Sequence, residues 1–216
     1  VTTYFIWNSI SFEYTPKQSG EKKLSIKINN HDGEVTFLNN QKVFFINVLS
    51  TKINVLLIAG SPSADLTFIK NSLSSDGNLK VNTLTQITAG NFLENNSASK
   101  LDSANIIYLI EYPTVNSSED FYDKLVNKLL NKNTPFFFLF SSEVDVKKLG
   151  RLNNLLPFSI QRVEKNYLQV QPDLQINELN NPLLQNSTTN EWNNLPPISK
   201  PISAITVKPE SKIISK

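Results

Sequence analysis

Apolar and polar positions follow two different rhythms along this chain, and the change falls near residue 51. Up to that point the period is two. Ile10, Phe12 and Tyr14 alternate with Ser11 and Glu13, and Leu24, Ile26 and Ile28 alternate with Ser25 and Lys27. Residues 43–48 supply another apolar segment. Turn residues stand between these segments at Thr15-Pro16, Ser19-Gly20 and Asn29–Gly33. Alternation punctuated in this way predicts half-buried antiparallel strands. Tyr4–Trp7 reads as one more strand, with Trp7 as a core residue. So few strands do not close a sandwich. Residues 1–50 are therefore expected to be the C-terminal part of a β-sandwich whose earlier strands lie upstream.

From residue 52 onward, short apolar runs alternate with stretches of helical spacing. Residues 53–58 form a first strand, and Gly60 then turns the chain. A helix is expected over 62–74, with Ser61 as its N-cap, Pro62 at its first position, and Leu66, Ile69 and Leu73 facing the sheet. Strands are expected at 80–85 and 106–110, with a short helix near 91–95. A second helix starts at Ser117/Ser118, with acids in its first turn, and buries Tyr122, Leu125, Val126, Leu129 and Leu130. Residues 135–140 are apolar on both faces and read as a central parallel strand. A third helix is expected after Ser141/Ser142, carrying Val144, Leu149 and Leu152. Strand–helix alternation predicts an α/β domain over 52–216 with a doubly wound, mostly parallel sheet of flavodoxin-like order 2-1-3-4. Beyond Pro157 the pattern weakens. Residues 167–170, 204–207 and 212–214 read as strands. Residues 177–201 read as an ordered, proline-rich excursion anchored by Leu183, Leu184, Trp192 and Leu195. Residues 44–52 leave almost no linker, so the last sandwich strand is expected to run straight into the first strand of the α/β sheet.

Composition narrows the function classes. The chain has 216 residues, a formal net charge of +2, no Cys, no Met and one His. Without cysteine there are no disulfides, thiolate metal sites or thiol nucleophiles within these residues. The charges are dispersed, and Arg151 and Arg162 are the only arginines, so nothing suggests a nucleic-acid surface. No apolar run approaches the roughly 20 residues of a membrane helix. Asparagine pairs punctuate apolar segments rather than forming a tract, which reads as genomic bias. A first residue of Val, with no Met anywhere, suggests an excerpt or a processed product. Any membrane anchorage is then expected through segments outside this sequence.

Several stretches together carry a family resemblance. The run FEYTP…KLSIKI…GEVTFLNNQKVFFINVL resembles the end of an immunoglobulin-like module. INVLLIAGSPSADLTFIKNSL, ANIIYLIEYPT, TPFFFLFSSEVD and NNPLLQN…EWNNLPPI resemble the class I glutamine amidotransferase-like domain of large, membrane-anchored bacterial proteins. The resemblance covers most of the chain. It implies an extracytoplasmic location and partners among neighbouring domains of the same chain or other proteins. It also implies that the chain stops before the domain's usual last strands.

The resemblance brings no catalytic signature with it. Class I amidotransferases use a cysteine at a strand-to-helix elbow, activated by histidine. Here no cysteine exists, and His31 lies in the first fifty residues, in a turn. No nucleophile–base dyad can assemble from these residues, since each needs its partner within hydrogen-bond reach. Gly60-Ser61-Pro62-Ser63 lies where α/β folds bind anions, but it carries one glycine, and Pro62 removes a backbone donor. N-capping is the simpler reading. Glu111 follows the third parallel strand, and Ser142 and Glu143 follow the fourth. With Ser61 they form the one polar cluster expected at the strand ends. Such carboxylates can act as bases or ligands, or can simply cap helices. Leu195-Pro196-Pro197 reads as a loop fixture rather than a recognition motif, and the 136–140 aromatic strand as core. No metal or cofactor is predicted. The expected role is a non-catalytic structural or interaction segment. The alternative is a small-molecule- or metal-binding enzyme domain using the strand-end crevice. A deep pocket with converging carboxylates would favour the alternative, and a crevice plugged by Tyr112 or by residues 177–200 would favour the first.

Overall fold

The continuous apolar run at residue 53 becomes the middle of a sheet. A computed structural model describes residues 11, 13–16, 20–31, 33, 36–48, 52–175, 181, 184, 191–192 and 194–215. The chain divides into two units, Val1–Lys52 and Ile53–Lys216.

In the first unit, β1 (Gly20–Lys27) and β2 (Gln41–Val48) pair antiparallel, from Gly20 opposite Val48 to Lys27 opposite Gln41. Leu24 and Ile26 are half-buried on one face, as alternation predicts, but Ile28 lies beyond the strand and is exposed. Residues 13–16 are described without strand structure, and Pro16 cannot donate to a ladder. The expected strand at 4–7, half of the one at 9–14 and the junction at 49–51 lie outside the described residues. Among the described residues this unit holds a two-stranded ribbon and not a sandwich.

The second unit is mixed α/β. Its main sheet has the order β5-β4-β3-β6-β7. The strands are β3 (Ile53–Ala59), β4 (Leu79–Thr88), β5 (Asn91–Phe92), β6 (Ile106–Ile110) and β7 (Phe136–Leu139). β4, β3, β6 and β7 run parallel, and the two-residue β5 returns antiparallel along β4. Successive side chains of each strand point to opposite faces, so an apolar run buries two faces at once. Leu56, Ile58, Leu84, Ile107 and Leu109 share one face with α2 (Ser97–Ser103) and α3 (Glu119–Asn131). Leu149 of the single-turn α4 (Val146–Leu149) and Leu152 of the 3-10 turn after it pack on the same side. Val55, Leu57, Ala59 and Ile110 face the other way, under Leu66 of α1 (Ala64–Ser74), with Ile69 and Leu73 alongside. A separate antiparallel hairpin joins β8 (Phe158–Val170) to β9 (Ile198–Val207).

Several expectations are corrected. Helix α1 starts two residues late: Ser63, not Ser61, caps it, accepting from the Leu66 amide at 3.1 Å. Residues 91–95 are not helical; β5 and a turn occupy them, and α2 follows. Phe121 is buried in α3, whereas Leu130 is 37% exposed. The third helix begins only at Val146, so Val144 precedes it, and Asp145 caps it through the Lys147 and Lys148 amides. β7 ends the sheet rather than crossing its centre, and Phe137 is 44% exposed. Residues 212–214 form no strand, although Ser215 makes an isolated bridge with Leu174. Residues 198–201, expected within an excursion, belong to β9; much of 176–193 lies outside the described residues. Among the described residues no helix is long and apolar enough to cross a membrane.

Candidate functional site

All four parallel strands end on the same side, and the loops that leave them enclose a crevice of about 440 Å³. Strand order reverses direction between β3 and β6, and the gap this opens is the usual ligand position in such sheets. The β3–α1 turn contributes Gly60, Ser61 and Pro62 to the walls. The end of β4 contributes Gln86, Ile87 and Thr88. The β6–α3 loop adds Glu111, Thr114, Val115 and Asn116, and the turn after β7 adds Glu143.

Gly60 is required by closeness rather than by phosphate binding. Its amide donates to the Ile110 carbonyl at 3.0 Å. A Cβ at this position would run into the Glu111 carbonyl oxygen and fall 2.6 Å from Thr114 Cγ2. The absence of a side chain therefore lets two strand-end loops touch. Glu111 itself sits at φ +54°, a left-handed conformation uncommon outside glycine, and its amide donates to the Leu139 carbonyl at 2.9 Å. The Tyr112–Pro113 peptide that follows is cis.

A buried polar network holds the β6–α3 wall. Gln86 Nε2 donates to Thr114 Oγ1 at 3.0 Å, and Ser117 Oγ donates to Gln86 Oε1 at 2.9 Å. The Thr114 amide donates to Ser117 Oγ at 2.9 Å. From outside, Lys148 Nζ donates to the Ser117 and Val115 carbonyls at 2.5 and 3.2 Å and pairs with Glu119 at 3.2 Å. The Gly90 amide donates to Asn116 O at 3.0 Å, and the Asp145 amide to Pro113 O at 2.8 Å. This side of the crevice is thus organised before any ligand arrives.

The electrostatics are one-sided. Burial raises the Glu111 carboxyl above the ordinary carboxylate range, and the charges of Asp65 and Glu143 raise it further. Among the described residues no Lys or Arg lines the crevice. Among the described residues no group of three or more His, Cys, Asp or Glu could hold a metal ion.

Of the residues singled out by sequence, Ser61, Glu111 and Glu143 line the crevice and Ser142 does not. Ser142 instead bonds to Tyr167 of β8. Tyr112 is wholly buried in the helix-covered core, with its ring edge toward Tyr122 at 6.2 Å. It leaves the crevice unplugged. Burial pushes its phenol up to about 12, against a smaller lowering by the Ser117 hydroxyl. Those residues of 177–200 that are described do not line the crevice either. Gln86, Thr88, Thr114, Asn116 and Lys148 escaped the sequence reading. Thr114 and Ser117, three residues apart beside a strand end, were the one local signal of a polar turn.

No family model, curated protein or solved structure matches the chain.

Proposed function

We propose that the α/β unit is a non-catalytic binding module that holds a small polar, positively charged ligand in its strand-end crevice. The carrying observation is the open, preorganised space of about 440 Å³ with Glu111 and Glu143 on its walls and, among the described residues, no cationic side chain. Ser61, Thr88 and Asn116 add hydrogen-bonding groups, and Ile87, Val115 and Pro62 add apolar surface. An ammonium or guanidinium ion would favour the charged form of Glu111, so binding should release a proton and strengthen as pH rises through the raised Glu111 pKa. The chain contains no thiol, and its one histidine lies in the first unit, which favours binding over nucleophilic chemistry. The β4-β3-β6-β7 order supports a flavodoxin-like, doubly wound classification. The absence of a thiol anywhere in the chain fits a degenerate amidotransferase-like domain. On this reading the segment serves recognition or assembly in an extracytoplasmic bacterial protein, with neighbouring domains or another protein as partners.

The test is a titration of the full chain with putrescine, agmatine and arginine methyl ester, with acetate and phosphate as anionic controls, followed by thermal shift and amide NMR. Stabilisation by the amines, with shifts centred on Gly60, Thr88 and Glu111 and abolished in Glu111→Gln, is expected. Silence toward every amine at millimolar concentration, or an equal response to the anions, would overturn the proposal.

A further inference from the structure

The β6–α3 wall of the crevice and the turn after β7 beside it are held differently, and the difference points to a control residue. The β6–α3 wall rests on buried hydrogen bonds, as described above. The turn after β7 adjoins it: Glu143 lines the crevice, Val144 bridges to Thr114, and the Asp145 amide donates to Pro113 O at 2.8 Å. At its outer side this turn is hydrogen-bonded to Tyr167 of the β8–β9 hairpin, and Phe140, Phe158 and Ile160 pack against the same core cluster. The Ser142 amide donates to Tyr167 Oη at 3.2 Å, and Ser142 Oγ shares a second hydrogen bond with Tyr167 Oη at 2.9 Å. Ser142 Oγ in turn donates to Glu143 Oε1 at 3.4 Å. That direction leaves Tyr167 as the donor to Ser142 Oγ. A single chain of hydrogen bonds then runs from the hairpin to the crevice carboxylate.

The path of β8 is bent where this contact requires it. Between Ile160 and Arg162 the strand advances two residues while β9 advances one, and between Val163 and Tyr167 it advances four against two. Such bulges bend a strand and re-aim the side chains beyond them. Without them Tyr167 would keep the plain alternation of β8.

We propose that Tyr167 is a positioning residue for the crevice: its bond to Ser142 holds the Glu143 wall in place, so the β8–β9 hairpin and ligand occupancy are linked. The contact is open to water, and Tyr167 is 46% exposed, so it can break and reform cheaply, unlike the buried Gln86–Thr114–Ser117 network. By linkage, a ligand that draws Glu143 inward strengthens the latch, and anything that displaces the hairpin weakens the ligand. Coupling to a ligand rests on the binding role proposed above; the latch itself does not.

The test compares Tyr167→Phe and Ser142→Ala with the unaltered full chain. Tyr167→Phe removes one oxygen and keeps the ring. Three readouts separate the claims. Hydrogen exchange at the Ser142 amide is expected to quicken about tenfold in Tyr167→Phe, with the Gly60 and Thr114 amides unmoved. Unchanged exchange at Ser142 would overturn the latch. The titration midpoint of the Glu111 carboxyl, followed by carbon-13 NMR, is expected to fall in both variants, because Glu143 is no longer held among the acids that raise it. An unmoved midpoint would overturn the positioning role. Putrescine affinity is expected to weaken severalfold in each single variant and no further in the double variant. Additive losses would show that the two residues act separately and would overturn the chain of bonds. If the unaltered protein ignores putrescine, the binding proposal falls, and the latch stands or falls on the first two readouts.

Discussion

The two faces of the central sheet come from the same strands but are covered unequally. On one side, α2, α3, α4 and the segment through Leu156 lie over Leu56, Ile58, Leu84, Ile107 and Leu109, with Tyr122, Leu125 and Leu129 pressed among them. On the other, α1 alone supplies Leu66, with Ile69 and Leu73 partly buried beside it. There Tyr108 and Phe137 stack at 5.1 Å near the end of the sheet, and Phe137 keeps 44% of its surface exposed. The burial gradient separates the tasks of the two sides. The heavily covered face carries stability, and its polar edge, Gln86 with Thr114 and Ser117, extends that rigidity to the crevice. At the thinly covered margin, around Phe137, substitutions should be correspondingly mild.

That contrast can be broken by mutation. Leu125, with no exposed surface, is the strongest probe. Leu125→Ala should cost about 2–5 kcal/mol in urea unfolding, the range for a buried leucine that leaves a cavity. Gly60→Ala comes next, since its new methyl meets a backbone carbonyl that cannot step aside. About 1–3 kcal/mol is expected, together with altered amide shifts through the β6–α3 loop, where a simple cavity variant would leave the crevice alone. Phe137→Thr on the thin face should change stability by no more than about 1 kcal/mol. A loss matching that of Leu125→Ala would mean that something covers this face in solution, and the comparison would fail. Glu111→Gln should have the smallest effect, and one that depends on pH. The folded carboxyl has a raised pKa, so ionising it is harder in the fold than in the unfolded chain. Its penalty is absent below the unfolded value and grows as pH rises through the folded one. The glutamine variant should therefore match the parent near pH 4 and melt slightly higher at pH 7 in paired thermal scans.

Sequence showed the middle of the sheet well and its margins poorly. β3 and β6 announce themselves because a buried parallel strand is apolar on both faces, as at Val55–Ala59 and Ile106–Ile110. The same signal misplaced β7. A run of phenylalanines reports burial in general but cannot report how many neighbours a strand has. The β8–β9 hairpin was missed over most of its length because two bulges shift the inward set, so no single period spans residues 158–170. The cap of α1 was ambiguous for a local reason: serines stand on both sides of Pro62, and only the fold decides that Ser63 turns inward. At the crevice, Glu111 was legible as a strand-end acid, whereas its left-handed backbone was not. The Gln86–Ser117 bond joins residues 31 apart, and no local pattern encodes such a pairing.

One modest feature, the carboxylate of Glu94, has a consequence for how copies of this chain behave together. It accepts from the Thr85 amide at 2.6 Å and from the Thr83 and Thr85 hydroxyls at 2.8 and 3.0 Å. Burial works to raise its pKa, but these bonds, led by that from the Thr85 amide, outweigh it and hold the pKa below the ordinary carboxylate value. A strand rim with free amides is a template on which a second chain can zip and aggregate. With a charged oxygen seated on the Thr85 amide, that rung of β4 is already taken, and an approaching strand meets a negative charge where it would need an acceptor of its own. The protection lasts until acid protonates Glu94, below its ordinary range, so self-association through this rim should be a property of strongly acidic solutions.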